Sequence, residues 1–207
     1  MSALSELARL GSATVYEAAG RRGLVDVPWR QIVPSSRVAG PARTVRCGQG
    51  DNLMVHAAMA SLEPGEVLVL TMPEPEPVAL VGDLLATQAK THGAAAVLVD
   101  GAVRDVEELV ELGLPIWTRH VSIRGATKDA VGALDEPVTV GGQVIHPGDV
   151  VVLDADGVAV VARDLVDEVL AASLDREQRE ARKRAQLQEG ALSYDLDSLR
   201  ERVEGAG

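Results

Sequence analysis

Three apolar runs most constrain this chain: EVLVLTM (66–72), AAAVLVDG (94–101) and LPIWT (114–118). Each reads as a buried strand. Between them lie GDLLATQAKTHG (82–93), a helix closed by Gly93, and DVEELVELG (105–113), a short helix. From Val138 the pattern turns to closely spaced β: VTVGGQVIHPGDVVVLDADGVAVVA. Alternating strands and helices followed by hairpins imply α/β layers with part of the sheet closed on itself.

The flanking segments extend this pattern. SALSELARL and SATVYEAAGRRG read as two helices, the second capped by Ser12. RVAGPARTVRC reads as a strand entered through a Gly-Pro turn, and GDNLMVHAAMASLEPG as a helix capped by Asp51 or Asn52. Residues 164–188 form a charged helix and 195–204 a last one. EPGEVLVL and HPGDVVVL echo each other, as a structural repeat or as two uses of a common Pro-Gly turn. No linker divides residues 1–207, so one domain is expected. The stretch DREQREARKRAQLQEG is almost wholly polar, with little to pack on its own core, and 164–207 is expected to lie against a neighbouring subunit.

Composition narrows the function classes. The chain has 207 residues, two Trp, two Tyr and no Phe, so stacking on nucleic-acid bases lacks its rings. The net charge of −11 opposes a broad phosphate-binding face, and an anionic substrate would need specific arginines. A single cysteine, Cys47, excludes an internal disulfide and a cysteine-rich zinc site. With no charged-then-apolar leader and no run of about 18 apolar residues, a cytoplasmic protein without membrane association is expected.

The stretch VLVDGAVRDVEEL (97–109) concentrates the chemistry. Asp100-Gly101 reads as a turn, and Asp105 as a helix cap with Glu108 completing a capping-box-like pair. That leaves Arg104 unexplained. In α/β sheets ligands gather beyond the carboxyl ends of strands. An Arg fork there suits a carboxylate or keto oxygen, and a neighbouring carboxylate suits Mg²⁺ or Mn²⁺. In GDLLATQAK, Asp83 reads as a cap, and the free N–H groups of Leu84 and Leu85 can hold a small carboxylate. His56, His92, His120 and His146 have no ligand spacing. Lys128 in GATKDAVG is open to substrate contact or to plain solvent exposure.

These motifs together resemble the class II pyruvate aldolases, the 4-hydroxy-4-methyl-2-oxoglutarate / 4-carboxy-4-hydroxy-2-oxoadipate aldolases, which share a fold with the regulator of ribonuclease E activity. GDLLATQAKTHGAAAVLVDGAVRDVEELVELGLPIWTR carries the resemblance, and ATVYEAAGRRG, GDN, HPGDVVVLDADGVAVV and LSYDLDSLR extend it nearly end to end. The resemblance implies an α-β-β-α sandwich of the swivelling β/β/α type. It implies that Asp105 binds a divalent metal, Mg²⁺ or Mn²⁺, and that Arg104 contacts the keto oxygen. It assigns the substrate carboxylate to the Gly82–Leu85 backbone (Gly82, Asp83, Leu84, Leu85), and the orientation of a water at the metal to Asp83. Glu17 and Glu180 are the implied acids from an adjacent subunit, in a homotrimer or a dimer of trimers. The implied reaction is retro-aldol cleavage of a 4-hydroxy-2-oxo acid to pyruvate and a second keto acid, with oxaloacetate decarboxylation as a second activity. Two alternatives stay open: a non-catalytic regulator that binds a ribonuclease, and a metal-dependent lyase of the same fold with another substrate.

Overall fold

Residues 2–205 are described by the computed structural model. The chain begins with Ala3–Leu10 (α1), Ser12–Ala18 (α2), Arg30–Gln31 (β1), Val38–Arg46 (β2) and Leu53–Ala58 (α3). The alternating part follows: Val67–Thr71 (β3), Ala79–Val81 (β4), Asp83–Thr91 (α4), Ala96–Val103 (β5), Val106–Leu112 (α5) and Ile116–Val121 (β6). Ala133–Leu134 (β7), Val138–Val140 (β8), Gln143–Ile145 (β9), Val150–Leu153 (β10) and Val158–Val161 (β11) make the β-rich part. Val166–Gln188 (α6), Ser193–Leu196 (α7) and Leu199–Glu204 (α8) close the chain.

Side-chain alternation along the strands builds the layers. β3 sends Leu68 and Leu70 to one face and Val67 and Val69 to the other; β5 divides Val97 and Val99 from Ala96 and Leu98 in the same way. Both faces are apolar, so both need cover. Helices α3, α4 and α5 cover the first through Val55, Leu85, Ala89 and Leu109. The second face meets Val140, Ile145, Val151, Leu153 and Val158 from the β-rich part. The alternate residues of β10, Val150 and Val152, face Leu7, Val15 and Val169 of α1, α2 and α6. The result is the four-layer α-β-β-α order that the sequence implied.

The main sheet runs β1-β6-β5-β3-β2-β10-β11, with β4 beside β5 and β7 beside β2. β2, β3, β5 and β6 are mutually parallel where they pair, while β10 and β11 run antiparallel. β2 serves both inner layers: Val38–Pro41 pair with β10 and Ala42–Arg46 with β3. Gly40-Pro41 is therefore no turn before the strand, as expected above, but the point inside it where the chain passes between layers. A side chain at Gly40 would meet Gly65 O at 2.5 Å. The two Pro-Gly echoes lead into β3 and β10, which flank β2 in opposite directions, so the echo is a shared local turn and not a tandem repeat.

Other expectations change with tertiary contacts. Asp100-Gly101 does not turn; β5 runs through both residues, with an irregularity between Val99 and Ala102. Asp100 is buried there against Arg119, with an Nη2–Oδ1 distance of 2.5 Å. Ser12 does not cap α2, whose cap is Gly11; the Ser12 hydroxyl and N–H instead donate to Asp154, at 2.6 and 2.8 Å. The last helix divides into α7 and α8 at Ser198, which is left-handed (φ 54°). α6 is nearly all polar beyond its first two turns, with Val169 and Ser173 its buried residues. No helix among the described residues is long and apolar enough to cross a membrane.

Trp117 joins the two sheet layers. It is fully buried in β6, and its Nε1–H donates to Asp154 O, between β10 and β11, at 2.8 Å. Trp117→Phe keeps most of the packing but orphans that carbonyl, an expected loss of about 1–3 kcal/mol. Trp117→Ala should lose about 3–5 kcal/mol. Urea denaturation measures both; a Phe variant as stable as the parent would mean that the bond contributes nothing.

Candidate active site

The site begins where two parallel strands stop side by side. β3 pairs with β5 over Ala96–Val99, and β4 then takes the same edge over Ala102–Val103. The carboxyl ends of β4 and β5 therefore coincide, locked by Arg104 N–H donating to Val81 O at 3.1 Å. Gly82-Asp83 and Arg104-Asp105 leave these two ends as adjacent pairs, as expected for a ligand site beyond strand ends.

Asp105 occupies the cap position of α5 but does not cap it. Its backbone is left-handed (φ 59°, ψ 46°) and its side chain makes no capping bond, so the capping-box expectation with Glu108 fails. The carboxylate instead reaches across to α4, where Oδ2 accepts from Asp83 N–H at 3.2 Å and lies 3.4 Å from Arg104 Nε. An uncommon backbone conformation at a non-glycine residue points to a functional demand. Gly82 leaves the space: a Cβ there would stand 2.4 Å from Asp105 Oδ2 and 3.0 Å from Arg104 Nε. Gly82 is also the cap of α4, which makes Asp83 its first residue and not its cap. Asp83 N–H is already engaged, whereas the N–H groups of Leu84 and Leu85 point out of the first turn without an acceptor in the helix. Leu85 anchors that turn in the core and Leu84 is exposed.

Gly82, Asp83, Leu84, Leu85 and Arg104 line a cleft of about 160 Å³ with Asn52, His56, Ala79, Ala126 and Lys128, and Asp105 is joined to that lining through Asp83 N–H. The volume is below the roughly 300 Å³ where drug-sized pockets begin, and suits a small acid. A cavity of about 820 Å³ lies elsewhere, between the α2–β11 side and α6 around Arg21, Arg22 and His146, and is lined by none of Gly82, Asp83, Arg104 and Asp105. Asp105 offers carboxylate oxygens, one of them already engaged by Asp83 N–H and near Arg104 Nε. One carboxylate completed by waters and substrate matches how Mg²⁺ is commonly held. Among the described residues, no group of three or more His, Cys, Asp or Glu is placed to hold a metal. Asp105 and Asp83 are the carboxylates at these two strand ends.

Glu17 and Glu180 do not line this cleft. They share Arg176, whose Nη2 is 2.8 Å from Glu180 Oε1 and whose Nη1 is 3.7 Å from Glu17 Oε2, on the α2–α6 layer. That layer covers β10 and β11, opposite the layer of α4 and α5. Within one chain the two glutamates come together, but not with Arg104.

The sequence reading overlooked Asn52 and His56 as site residues and left Lys128 open. The GDN stretch was read as a helix start, yet Asn52 makes no side-chain cap. Its buried Nδ2 donates to Leu80 O at 3.0 Å. Asp51 is the organiser: Oδ1 accepts from Leu53 N–H, and Oδ2 accepts from the Thr127 hydroxyl and the Asp129 and Ala130 N–H groups, at 2.8, 2.7, 2.6 and 3.2 Å. Burial works to raise the Asp51 carboxyl, but these hydrogen bonds prevail and hold it at about 2. Burial, aided by the charge of Asp51, pushes the Cys47 thiol up to about 12, which removes it as a nucleophile.

Comparison with known proteins follows the same residues. The Aldolase/RraA family model, of the RraA-like group, matches residues 12–160. A protein of Halalkalibacterium halodurans provisionally named 4-hydroxy-4-methyl-2-oxoglutarate aldolase is 40% identical over 152 residues, 73% of this chain and 72% of that one. The structure of Streptomyces coelicolor RraAS2, described as an unusual member of the RNase ES inhibitor RraA family, has TM-score 0.78 at 32% identity, covering 88% of this chain and 95% of that one. The RNA-processing inhibitor RraA from Thermus thermophilis has TM-score 0.66 at 29% identity, covering 72% and 90%.

The depressed carboxyl of Asp51 sets a pH dependence. Its stabilisation is complete above the ordinary value of 3.8 and is lost as pH falls through about 2. Acid unfolding between these values should be steeper for the parent than for Asp51→Asn, which lacks this titration. Identical acid limbs in circular dichroism would contradict the role given to Asp51.

Proposed function

The chain belongs to the RraA-like Aldolase/RraA family, and from that premise we propose that it is a divalent-metal-dependent carbon–carbon lyase. Its substrate is a 4-hydroxy-2-oxo acid of the 4-hydroxy-4-methyl-2-oxoglutarate or 4-carboxy-4-hydroxy-2-oxoadipate type, cleaved to pyruvate and a second keto acid. The observation that carries this reading is one small cleft lined by Arg104 and the first turn of α4, with Asp105 bonded to that turn through Asp83 N–H.

Each group has a part. The Leu84 and Leu85 N–H groups bind the substrate carboxylate at the positive end of α4. Arg104 donates its fork to the C2 keto oxygen. Asp105 would hold Mg²⁺ or Mn²⁺, which would supply Lewis acidity to the keto acid. A water held by Asp83 takes the proton of the C4 hydroxyl, the C3–C4 pair moves into C2–C3 as the enolate forms, and C4 becomes a carbonyl carbon. Arg104 stabilises the negative charge that develops on the C2 oxygen. Asp83 positions the water that returns a proton to C3, completing pyruvate. Loss of CO₂ from oxaloacetate reaches the same enolate, so decarboxylation is a second activity of the site. Glu17 and Glu180 complete the site from an adjacent subunit of a trimer or hexamer, since their own chain keeps them in the opposite layer.

The likeness to RraA structures favours one second reading, a non-catalytic regulator of a ribonuclease. Stripping the protein with chelator and following pyruvate release with and without Mg²⁺ or Mn²⁺ separates the two. Metal-dependent pyruvate from the hydroxy acid is expected; none from folded, metal-loaded protein would favour the regulator. Arg104→Ala should lower kcat roughly a hundred- to a thousandfold with the fold intact. Near-parental turnover would sink the assignment. Mixed oligomers of Glu17→Ala and Arg104→Ala chains should regain activity at sites that receive both intact residues. Mixed oligomers without recovery would count against a shared site.

A further inference from the structure

Arg104 leaves the end of a strand that is out of step with its neighbour. Val99 pairs with Thr118 and Ala102 with His120, so Asp100 and Gly101 together face the single residue Arg119. This is a β-bulge in β5, and only Ala102 and Val103 separate it from Arg104. Bulges next to active sites re-aim the residues that follow them. One residue of strand spans about 3.3 Å, so a bulge that slips into register moves the end of β5 by a distance of that order.

Side chains of β6 hold the bulge open. Arg119 Nε–H donates to Asp100 Oδ1 at 2.7 Å, and Nη2 lies 2.5 Å from the same oxygen. Thr118, fully buried, sets its hydroxyl 3.2 Å from Gly101 O and 2.9 Å from His120 O. Beyond the bulge, Ala102 N–H donates to Val78 O and Arg104 N–H to Val81 O, both at 3.1 Å. Stability alone gives no reason for the charged pair. Asp100 is 3% exposed, and burial pushes its carboxyl up against the pull of Arg119. Every residue of β5 is buried, so an apolar pair would suit the place. Buried ion pairs commonly serve a fold no better than apolar residues do, and their best-attested use is to specify register.

We propose that Asp100 and Arg119 are positioning residues for the reaction: their ion pair fixes the β5 bulge, and the bulge sets where Arg104 meets the keto oxygen. Neither residue lines the cleft, so both act through Arg104. The inference rests on the aldolase reading and adds what aims its arginine.

The test removes both charges at once, as Asp100→Val with Arg119→Met in the full metal-loaded chain, assayed with 4-hydroxy-4-methyl-2-oxoglutarate. The urea midpoint should stay at or above the parental one, since no buried charge is left unpaired. kcat should fall roughly tenfold to a hundredfold with KM within about threefold of the parent, as for a catalytic group displaced by about 1 Å. Asp100→Asn keeps an acceptor for Arg119 and should retain most of kcat. In an Arg104→Ala background the double substitution should cost less than about twofold, because the residue it acts through is gone. Parental kcat in the double variant overturns the inference. So does an equal fall with and without Arg104, which marks a purely structural pair. Crystal structures of parent and double variant read the link without turnover: the Arg104 guanidinium should move by about 1 Å or more, and an unmoved Arg104 overturns the inference. A parent that yields no pyruvate removes the aldolase reading, and the displacement of Arg104 then decides whether the bulge aims it.

Discussion

One edge of β5 is shared by two strands in succession, and the site depends on that sharing. β3 pairs with its first half and β4 with its last residues, on either side of the irregularity at Asp100-Gly101. Gly101 provides room: a side chain there would stand 2.6 Å from Met72 Cε and 3.4 Å from Leu80 Cδ1. Because β4 ends beside β5, two loops that are 22 residues apart in sequence meet, and Asp83 N–H reaches Asp105. Without this handover α4 would start elsewhere, and its first-turn N–H groups would not face Arg104.

Buried acids do much of the positioning in this aromatic-poor protein. Asp51 gathers the 127–130 loop, Asp154 receives Ser12 and Asp156, and Asp149 receives His146 and Arg163 N–H. Each carboxylate satisfies several backbone donors that loops would otherwise leave unpaired. Asp100 differs: burial raises its carboxyl while the Arg119 guanidinium opposes that rise. Part of the negative charge is thus structural, and Arg104 and Lys128 provide local positive charge at the cleft.

The outer layers have separate duties. α3, α4 and α5 close the core under the cleft, while α1, α2 and α6 cover the far sheet layer and carry Glu17 and Glu180. Arg176 holds those two glutamates together and Arg21 also pairs with Glu17, so the separate motifs in VYEAAGR and the polar helix meet as one ion-paired surface. The proposed assembly sets this surface against the cleft of another copy.

The strand runs, the intervening helices and the β-rich part after Val138 were legible because hydrophobic periodicity is local. So was the place of Arg104 at the carboxyl end of a strand, which no turn or cap explained. The roles of short polar residues were not legible. Asp105, Ser12 and Asn52 occur in sequences suited to caps, but each side chain has a distant partner or faces the cleft. Gly40-Pro41 and Asp100-Gly101 carry turn signals, yet long-range pairing runs a strand through each. The sequence by itself determined the elements, the layer order implied by resemblance, and the residue types of the proposed site. Only the tertiary structure decided which ends coincide and that Asn52 and Lys128 join the cleft, because those contacts depend on strand order and register that local pattern does not encode.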